Sequence, residues 1–320
     1  MDENMQAEAE DGRARDTVDS GGAERKYHAG FVAVVGRPNV GKSTLINRLV
    51  GQKVAITSSK PQTTRVNQLA ILTLDNAQMV FVDTPGIHQP GHALGERMVR
   101  EARESLEDAD VVLCLMDAGN LPHEEDRIAV DAATKRSQAP KILGLNKSDL
   151  VTRHILRQSL DAYAGLTQWD GIAVFSAITG EGVDDLLEIL LGKLPENAPF
   201  YAEDEVTQTN ARDIAGELIR EQVLRHTHEE VPHSVAVVVE DYKEREDGHL
   251  YISATVYVER DSQKGIVIGK GAAMLKNIGT AARKEIETMA DAPVFLDLHV
   301  KVRKDWRKKD PSLGQMGQGS

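Results

Sequence analysis

Eight residues, Gly36-Arg37-Pro38-Asn39-Val40-Gly41-Lys42-Ser43, constrain this chain more than any others, because they join an apolar run to a helical pattern. The run before them, Phe31-Val32-Ala33-Val34-Val35, reads as a fully buried strand, and Leu45, Ile46, Leu49 and Val50 after them share one helical face. Between such elements, G-x-x-x-x-G-K-S is a phosphate-binding loop. Gly36 and Gly41 let the chain curl so that backbone N–H groups around Asn39, Val40 and Thr44 converge on a phosphate. The helix N-terminus at that point also favours an anion. Lys42 is then expected to reach the β- and γ-phosphates and Ser43 a magnesium ion.

Three further segments narrow the ligand. Asp83-Thr84-Pro85-Gly86 follows the strand Met79-Val80-Phe81-Val82, placing a carboxylate at a strand end where it can hold magnesium, usually through water. Gly86 is expected to offer its N–H to the γ-phosphate. Asn146-Lys147-Ser148-Asp149 follows the apolar run Ile142-Leu143-Gly144-Leu145. A fixed carboxylate at Asp149 accepts from both the N1–H and the 2-amino group of guanine, which adenine does not present. Asn146 would orient the loop and the base, while the stem of Lys147 covers one face of the ring. Ser176-Ala177-Ile178, after Ile172-Ala173-Val174-Phe175, adds a backbone N–H from Ala177 for the guanine carbonyl. Each segment alone has an ordinary explanation as a turn or a capped loop. Together, in this order and at successive strand ends, where open α/β sheets bind ligands, they resemble the translation-factor-related GTPases.

A length of 320 residues with 41% apolar content suits two packed domains. Residues 1–27 carry eight acids against four bases and no apolar segment, so they read as a disordered acidic tail rather than a signal or transit peptide. No apolar run approaches the roughly 18 residues of a membrane span, and the one cysteine, Cys114, lies inside an apolar strand pattern. A soluble, cytoplasmic protein is the expectation. Residues 28–200 alternate strand and helix patterns, predicting an α/β P-loop domain with a mostly parallel sheet and helices on both faces. A linker is expected at 201–207 and a flexible tail at 307–320. Between them, residues 208–306 read as an α-β-β-α-β unit, with helices at about 208–228 and 273–289 and strands at 234–239, 250–258 and 293–302.

The net charge of −12 argues against nucleic-acid binding, but its distribution reverses that inference. Lys264 to Lys309 holds eleven basic against five acidic residues, a local +6, leaving −18 elsewhere. On charge alone, a face that meets a phosphate backbone is the favoured explanation over a solvated basic helix and tail with no partner. Inside the region, Ile266-Val267-Ile268-Gly269-Lys270-Gly271-Ala272-Ala273-Met274-Leu275-Lys276-Asn277-Ile278-Gly279 resembles the signature of a KH domain of the bacterial type, type II. Such domains place a G-x-x-G loop beside a groove that reads single-stranded RNA. Here the final glycine is Ala272, which restricts φ, so reduced affinity rather than lost function is expected.

Taken together, these motifs, Pro61-Gln62-Thr63-Thr64-Arg65 and the closing Val300-Lys301-Val302-Arg303-Lys304-Asp305-Trp306-Arg307 resemble the Era family of bacterial ribosome-assembly GTPases over residues 28 to 306. After Trp306 the sequence diverges from the family. The resemblance implies binding of GTP and GDP, slow hydrolysis, recognition by the KH domain of the 3′ end region of 16S ribosomal RNA in the 30S precursor, and some association with the inner face of the cell membrane. It also makes Thr64 the switch residue that meets magnesium and the γ-phosphate, with Thr63 as the alternative. Lys264, Gly269, Lys270, Gly271, Lys276, Lys301, Arg303 and Arg307 are the candidate RNA contacts, and a monomer is expected. Ile87 stands where Ras-like enzymes carry the glutamine that orients the attacking water, so intrinsic hydrolysis should be feeble. Related GTPases with asparagine at the position of Asn39 can use a potassium ion in place of an arginine finger; a purely structural role for Asn39 in the loop is the alternative. A membrane-associated regulator with incidental RNA binding is the competing function.

Overall fold

Residues 26–58, 60, 63–64, 67–84, 93–228 and 231–309 are described by a computed structural model. The tail up to residue 25, Pro61, Gln62, Arg65, Gly86, Ile87 and residues 310–320 lie outside the described residues. In chain order the first domain comprises β1 (His28–Val35), α1 (Lys42–Val50), β2 (Gln68–Leu74), β3 (Ala77–Asp83), α2 (Ala93–Glu107), β4 (Val111–Asp117), α3 (Glu124–Arg136), β5 (Lys141–Asn146), α4 (Arg153–Ala164), β6 (Gly171–Val174) and α5 (Val183–Leu191). Its strands are ordered β2-β3-β1-β4-β5-β6, all parallel except β2, which pairs antiparallel with β3. The apolar runs explain the layering. Along β1, Val32 and Val34 face a core shared with α1 and α5, while Ala33 and Val35 face one shared with α2, α3 and α4. Period-two alternation inside a continuous apolar strand means both faces are covered, as a parallel sheet requires. Cys114 is buried in β4, where desolvation pushes its thiol up to about 12 against the pull of Lys141, so it carries no thiolate at neutral pH.

The second domain comprises α6 (Ala211–His226), β7 (Ala236–Glu244), β8 (Leu250–Val258), α7 (Asp261–Ile268), α8 (Ala273–Ala290), β9 (Val294–Val302) and the short α9 (Trp306–Lys309). Strands β7 and β8 pair antiparallel, and β8 and β9 pair parallel. Helix α7 is the element that the α-β-β-α-β reading omits. With eight residues and only Gln263 and Val267 buried, it shows too few turns for a periodic signal. Helix α6 starts at Ala211 because the Asn210 side chain caps it, accepting from the Asp213 N–H at 2.9 Å.

The boundaries are more tightly tied than composition implied. Lys26 pairs with Glu196 at 2.7 Å, and the Asn197 N–H donates to the Tyr27 carbonyl at 3.1 Å, so residues 26 and 27 of the expected tail are tied to the first domain. The expected linker runs along the free edge of β2, where Ile71 N–H donates to the Val206 carbonyl at 2.9 Å and Thr207 Oγ1 to that of Leu69 at 2.7 Å. The Val206 carbonyl and the Thr207 hydroxyl thus serve backbone groups on the outer side of the edge strand. The two domains share a seam. Ile56, from the loop after α1, belongs to the core of the second domain, and Met98 of α2 packs with the fully buried Trp306, whose indole N–H donates to the Ser234 carbonyl at 3.0 Å.

Candidate functional site

Strand β1 delivers the phosphate loop and α1 receives it. Gly41 sits at φ +105°, and a Cβ there would stand 2.3 Å from Asn146 Nδ2, so both conformation and space require glycine. Lys42 is 7% exposed and folds back, donating to the carbonyls of Gly36 at 3.0 Å and Arg37 at 3.2 Å. Burial pushes its ammonium down to about 8; Asp83 opposes that shift and Arg37 adds to it.

Asp83 closes β3, fully buried. Its Oδ2 accepts from Ser43 Oγ at 2.7 Å and Thr64 Oγ1 at 3.3 Å, and the two hydroxyls lie 3.1 Å apart. Asp83 Oδ1 has no hydrogen-bond partner among the described residues. Burial raises this carboxyl's pKa against the pull of Lys42 and the two hydroxyls. A desolvated carboxylate with a free oxygen, flanked by two hydroxyls, is a hard oxygen donor set that fits a magnesium ion. Thr63 is turned elsewhere, its hydroxyl donating to the Lys60 carbonyl at 2.6 Å, so Thr64 is the threonine brought to Asp83. Gly86 is outside the described residues.

The base-side loops converge on Asn146, which ends β5 nearly buried. Its Nδ2 donates to the Val40 carbonyl at 2.8 Å, and its Oδ1 accepts from the N–H groups of Lys147 and Ala177, each at 2.8 Å. One amide thus ties the phosphate loop to both base-side loops. This corrects the expectation for Ala177: its N–H is engaged by Asn146 in this arrangement. Lys147 adopts φ +67° and sends Nζ to the Asn39 carbonyl at 2.8 Å and to Asp117 Oδ2 at 2.7 Å. Burial works against the charge of Asp117, yet Lys147, the Gly119 N–H and Arg37 outweigh it and hold the carboxyl below its ordinary range. Ser176 is buried and its Oγ accepts from the Thr179 N–H at 3.1 Å, closing the turn rather than pointing at a base. Sequence reasoning missed two supporting residues. Asp117 carries the same signal as Asp83, an acid at the carboxyl end of a buried strand. Arg48, whose Nε donates to the Ala177 carbonyl at 2.6 Å, gives no local signal, because its partner is 129 residues away. The loops enclose a cavity of about 250 Å³ lined by Asn39, Lys42, Thr44, Thr64, Asp149 and Ala177.

In the second domain Gly269 adopts φ +72°, and a Cβ there would lie 2.7 Å from that of Met274. Ala272 holds φ +61°, a left-handed conformation that costs an alanine about 1–2 kcal/mol. The loop therefore keeps its shape despite the missing glycine. Beside it a groove of about 390 Å³ runs between α8 and β9, lined by Leu275, Lys276, Gly279, Arg283, Phe295 and Leu298. Ala272, the last residue of the Lys270–Ala272 turn, lines the groove, and Lys264 is on α7. Lys301 and Arg307 are not brought there. Residue alternation along β9 puts Lys301 on the opposite sheet face, 3.6 Å from Glu240, and Arg307 is paired with Glu259 at 2.5 Å. Arg303 follows β9, its N–H donating to the Val258 carbonyl at 2.8 Å. Proximity in sequence to the basic segment does not set the face: Lys301 is turned away because a strand alternates sides, and Arg307 lies beyond the strand, on α9.

The fold and the four strand-end loops define a P-loop GTPase that carries a C-terminal KH domain. Residues 31–147 match the family model of the 50S ribosome-binding GTPases, and residues 230–307 that of the KH domain. Similar proteins include GTPase Era of Geotalea daltonii, 44% identical over 92% of this chain and 99% of the relative, and that of Geotalea uraniireducens, 46% identical over the same shares. Among solved structures, a single-substitution variant of Aquifex aeolicus Era bound to GDP.AlF4- superposes with a TM-score of 0.86 at 38% identity, covering 91% of this chain and 98% of that one. A structure of Era with MgGDPNP and nucleotides 1506–1542 of 16S ribosomal RNA matches equally, with the same score and coverage. The chain belongs to the Era family of GTPases. Among the described residues, no helix is long and apolar enough to cross a membrane.

Proposed function

We propose that this GTPase is a guanine-nucleotide switch that binds the 3′ region of 16S ribosomal RNA through the Gly269–Ala272 loop and the groove between α8 and β9, in assembly of the small subunit. The observation that carries the reading is one chain holding both the Asp83–Ser43–Thr64 cluster and an open groove lined by Lys276 and by Ala272, the end of the turn that carries Lys270. The relative solved with a 16S fragment supports the choice of RNA. On the nucleotide side, Gly36, Asn39, Val40, Gly41, Lys42 and Thr44 would bind phosphate, and Asn146, Lys147 and Asp149 would form the base pocket, with the Ser176–Ala177 turn as part of its wall. Ser43, Thr64 and Asp83 would hold magnesium, which when bound supplies positive charge against the phosphate oxygens. Lys42, already desolvated, regains a counter-charge when phosphate arrives beside it, which raises its proton affinity again.

Binding of a fluorescent 16S 3′-end fragment tests the RNA assignment. Charge reversal at both Lys270 and Lys276 should weaken binding by at least about tenfold and flatten its salt dependence, since two phosphate contacts are lost. GDP affinity should stay unchanged. RNA binding that survived both substitutions at the original salt slope would move the contact surface away from the groove.

Asn39 lines the nucleotide cavity at φ +64° with its carbonyl held by Lys147, which supports a role for its side chain toward the phosphates. In our reading it is a potassium ligand. Turnover in sodium should then fall several-fold below turnover in potassium, and equal rates in the two salts would remove potassium from the mechanism.

A further inference from the structure

Helix α6 carries three consecutive polar residues in mid-helix, Arg220-Glu221-Gln222, that are 1%, 0% and 3% exposed. The loop after α1 covers Arg220 and Glu221. Lys53 reaches Glu221 at 2.8 Å and Glu285 at 3.0 Å, Thr57 Oγ1 lies 3.5 Å from Glu221, and Arg225 pairs with the same carboxylate. Ile56 enters the α6 core beside them. This packing lies along the segment that ends in Thr64.

Arg220 makes the contact nearest the chemistry. Its Nε and Nη2 grip the Glu217 carboxylate at 2.9 and 2.5 Å, and Nη2 also donates to the Thr63 backbone carbonyl. A buried guanidinium is costly and is kept only with good partners, and an apolar residue would fill the space more cheaply. The Glu217 fork makes this side chain a rigid, oriented donor rather than a flexible charge. Its target is a backbone carbonyl, so the contact does not depend on which side chain residue 63 carries. The Thr63 carbonyl and the Thr64 nitrogen and Cα belong to one planar peptide unit. Fixing that oxygen therefore fixes the plane from which Thr64 departs toward Asp83.

We propose that Arg220, a residue of the RNA-binding domain, is a positioning residue for the GTPase site: it clamps the 63–64 peptide so that Thr64 stands beside Ser43 and Asp83, and so favours triphosphate over diphosphate. The inference rests on the reading of Thr64 as the switch residue that senses the γ-phosphate. No contact between Arg220 and nucleotide is involved. Its effect passes through Thr64, and it acts only on the state in which Thr64 is engaged, since a ligand shifts an equilibrium only by its differential affinity for the two states.

The test compares affinities for a non-hydrolysable GTP analogue and for GDP in the full chain and in Arg220→Gln, Arg220→Lys, Glu217→Gln, Thr64→Ala and the Arg220→Gln/Thr64→Ala double variant. Arg220→Gln should lower affinity for the analogue by about tenfold, within the usual range of coupling between sites, and leave GDP affinity unchanged. The lysine variant should recover part of the loss. The double variant should be no worse than Thr64→Ala alone, because both act on one contact. Should Arg220→Gln fail to fold, Glu217→Gln, which loosens the fork at a partly exposed carboxylate, must shift the affinity ratio the same way by a smaller factor. Equal losses for both nucleotides, or a lowered melting temperature with an unchanged ratio, would reduce Arg220 to a seam residue and overturn the proposal. If Thr64→Ala leaves the ratio unchanged, it is the switch reading of Thr64 that fails, and the role of Arg220 through it fails too. If Thr64→Ala shifts the ratio and neither Arg220→Gln nor Glu217→Gln does, only the proposal falls.

Discussion

Replacing Asp149 by asparagine is expected to lower affinity for GTP and GDP alike by about a thousandfold, and to raise affinity for xanthosine nucleotides. Asp149 is an exposed residue on the rim of the nucleotide cavity, at the end of the loop that Asn146 anchors. Guanine presents two neighbouring donors, N1–H and the 2-amino group, and an ionised carboxylate is the side chain that accepts from both. Asparagine is the same size but turns one acceptor into a donor. A charge-assisted hydrogen bond is worth about 1.5–3 kcal/mol, so losing one and opposing another costs about 4 kcal/mol. At 1.4 kcal/mol per factor of ten this is on the order of a thousandfold. Xanthine carries an oxygen in place of the 2-amino group, which the new amide can meet as a donor. Competition titrations with GDP and xanthosine diphosphate, with melting temperature as a fold control, read the effect directly. GDP affinity that survives the substitution would mean that the base is read by other groups, and the specificity argued for Asn146-Lys147-Ser148-Asp149 would be wrong.

The nucleotide end of the molecule was legible because each piece of it is local. A phosphate loop needs glycine where φ is positive and space is absent, as at Gly41, and it must follow a buried strand and open a helix. A short contiguous stretch carries all of that. The same holds for Asn146-Lys147-Ser148-Asp149, whose strand and loop are contiguous. What was not legible depends on residues brought together across the chain. Arg220 and Glu221 are of the types a helix usually turns to solvent, and they are covered here by contacts from the loop after α1 in the other domain. A signal was present in the helix itself: Ile214, Ala215, Leu218, Ile219, Val223 and Leu224 are apolar around more of its circumference than one contact face needs. The engagement of the Ala177 N–H by Asn146 could not be read either, because it depends on two strand ends meeting at 2.8 Å. For Lys301 and Arg307, charge counted along the sequence carries no information about placement: alternation along β9 turns Lys301 away from Leu298 and Val300, and Arg307, on α9, is paired with Glu259.

Lys42→Met should separate function from stability with opposite signs. Among the described residues, Lys42 has no counter-ion in hydrogen-bond contact: its ammonium donates to the Gly36 and Arg37 carbonyls, and desolvation lowers its pKa from 10.5 to about 8. A base whose folded-state pKa lies below its unfolded value binds protons more weakly when folded, so its protonated form opposes folding. The penalty is complete below pH 8 and disappears as pH rises toward 10.5, and stability attributable to this group therefore increases across that window. At 1.36 kcal/mol per unit, the neutral-pH penalty is on the order of 3 kcal/mol. Methionine has nearly the same length, fills the space and removes the charge, so the nucleotide-free variant should melt no lower than the parent at neutral pH, and above it if the two carbonyls find water. It should also lose the rise in stability of the parent between pH 8 and 10.5. Nucleotide binding should fall by two to three orders of magnitude, since a desolvated cation beside a phosphate is worth far more than one in water. Added GDP, which raises the melting temperature of the parent by mass action, should then leave that of the variant nearly unchanged. A nucleotide-free variant that melted well below the parent would show that Lys42 is part of what holds the loop together, rather than a charge stored at a cost for the phosphate.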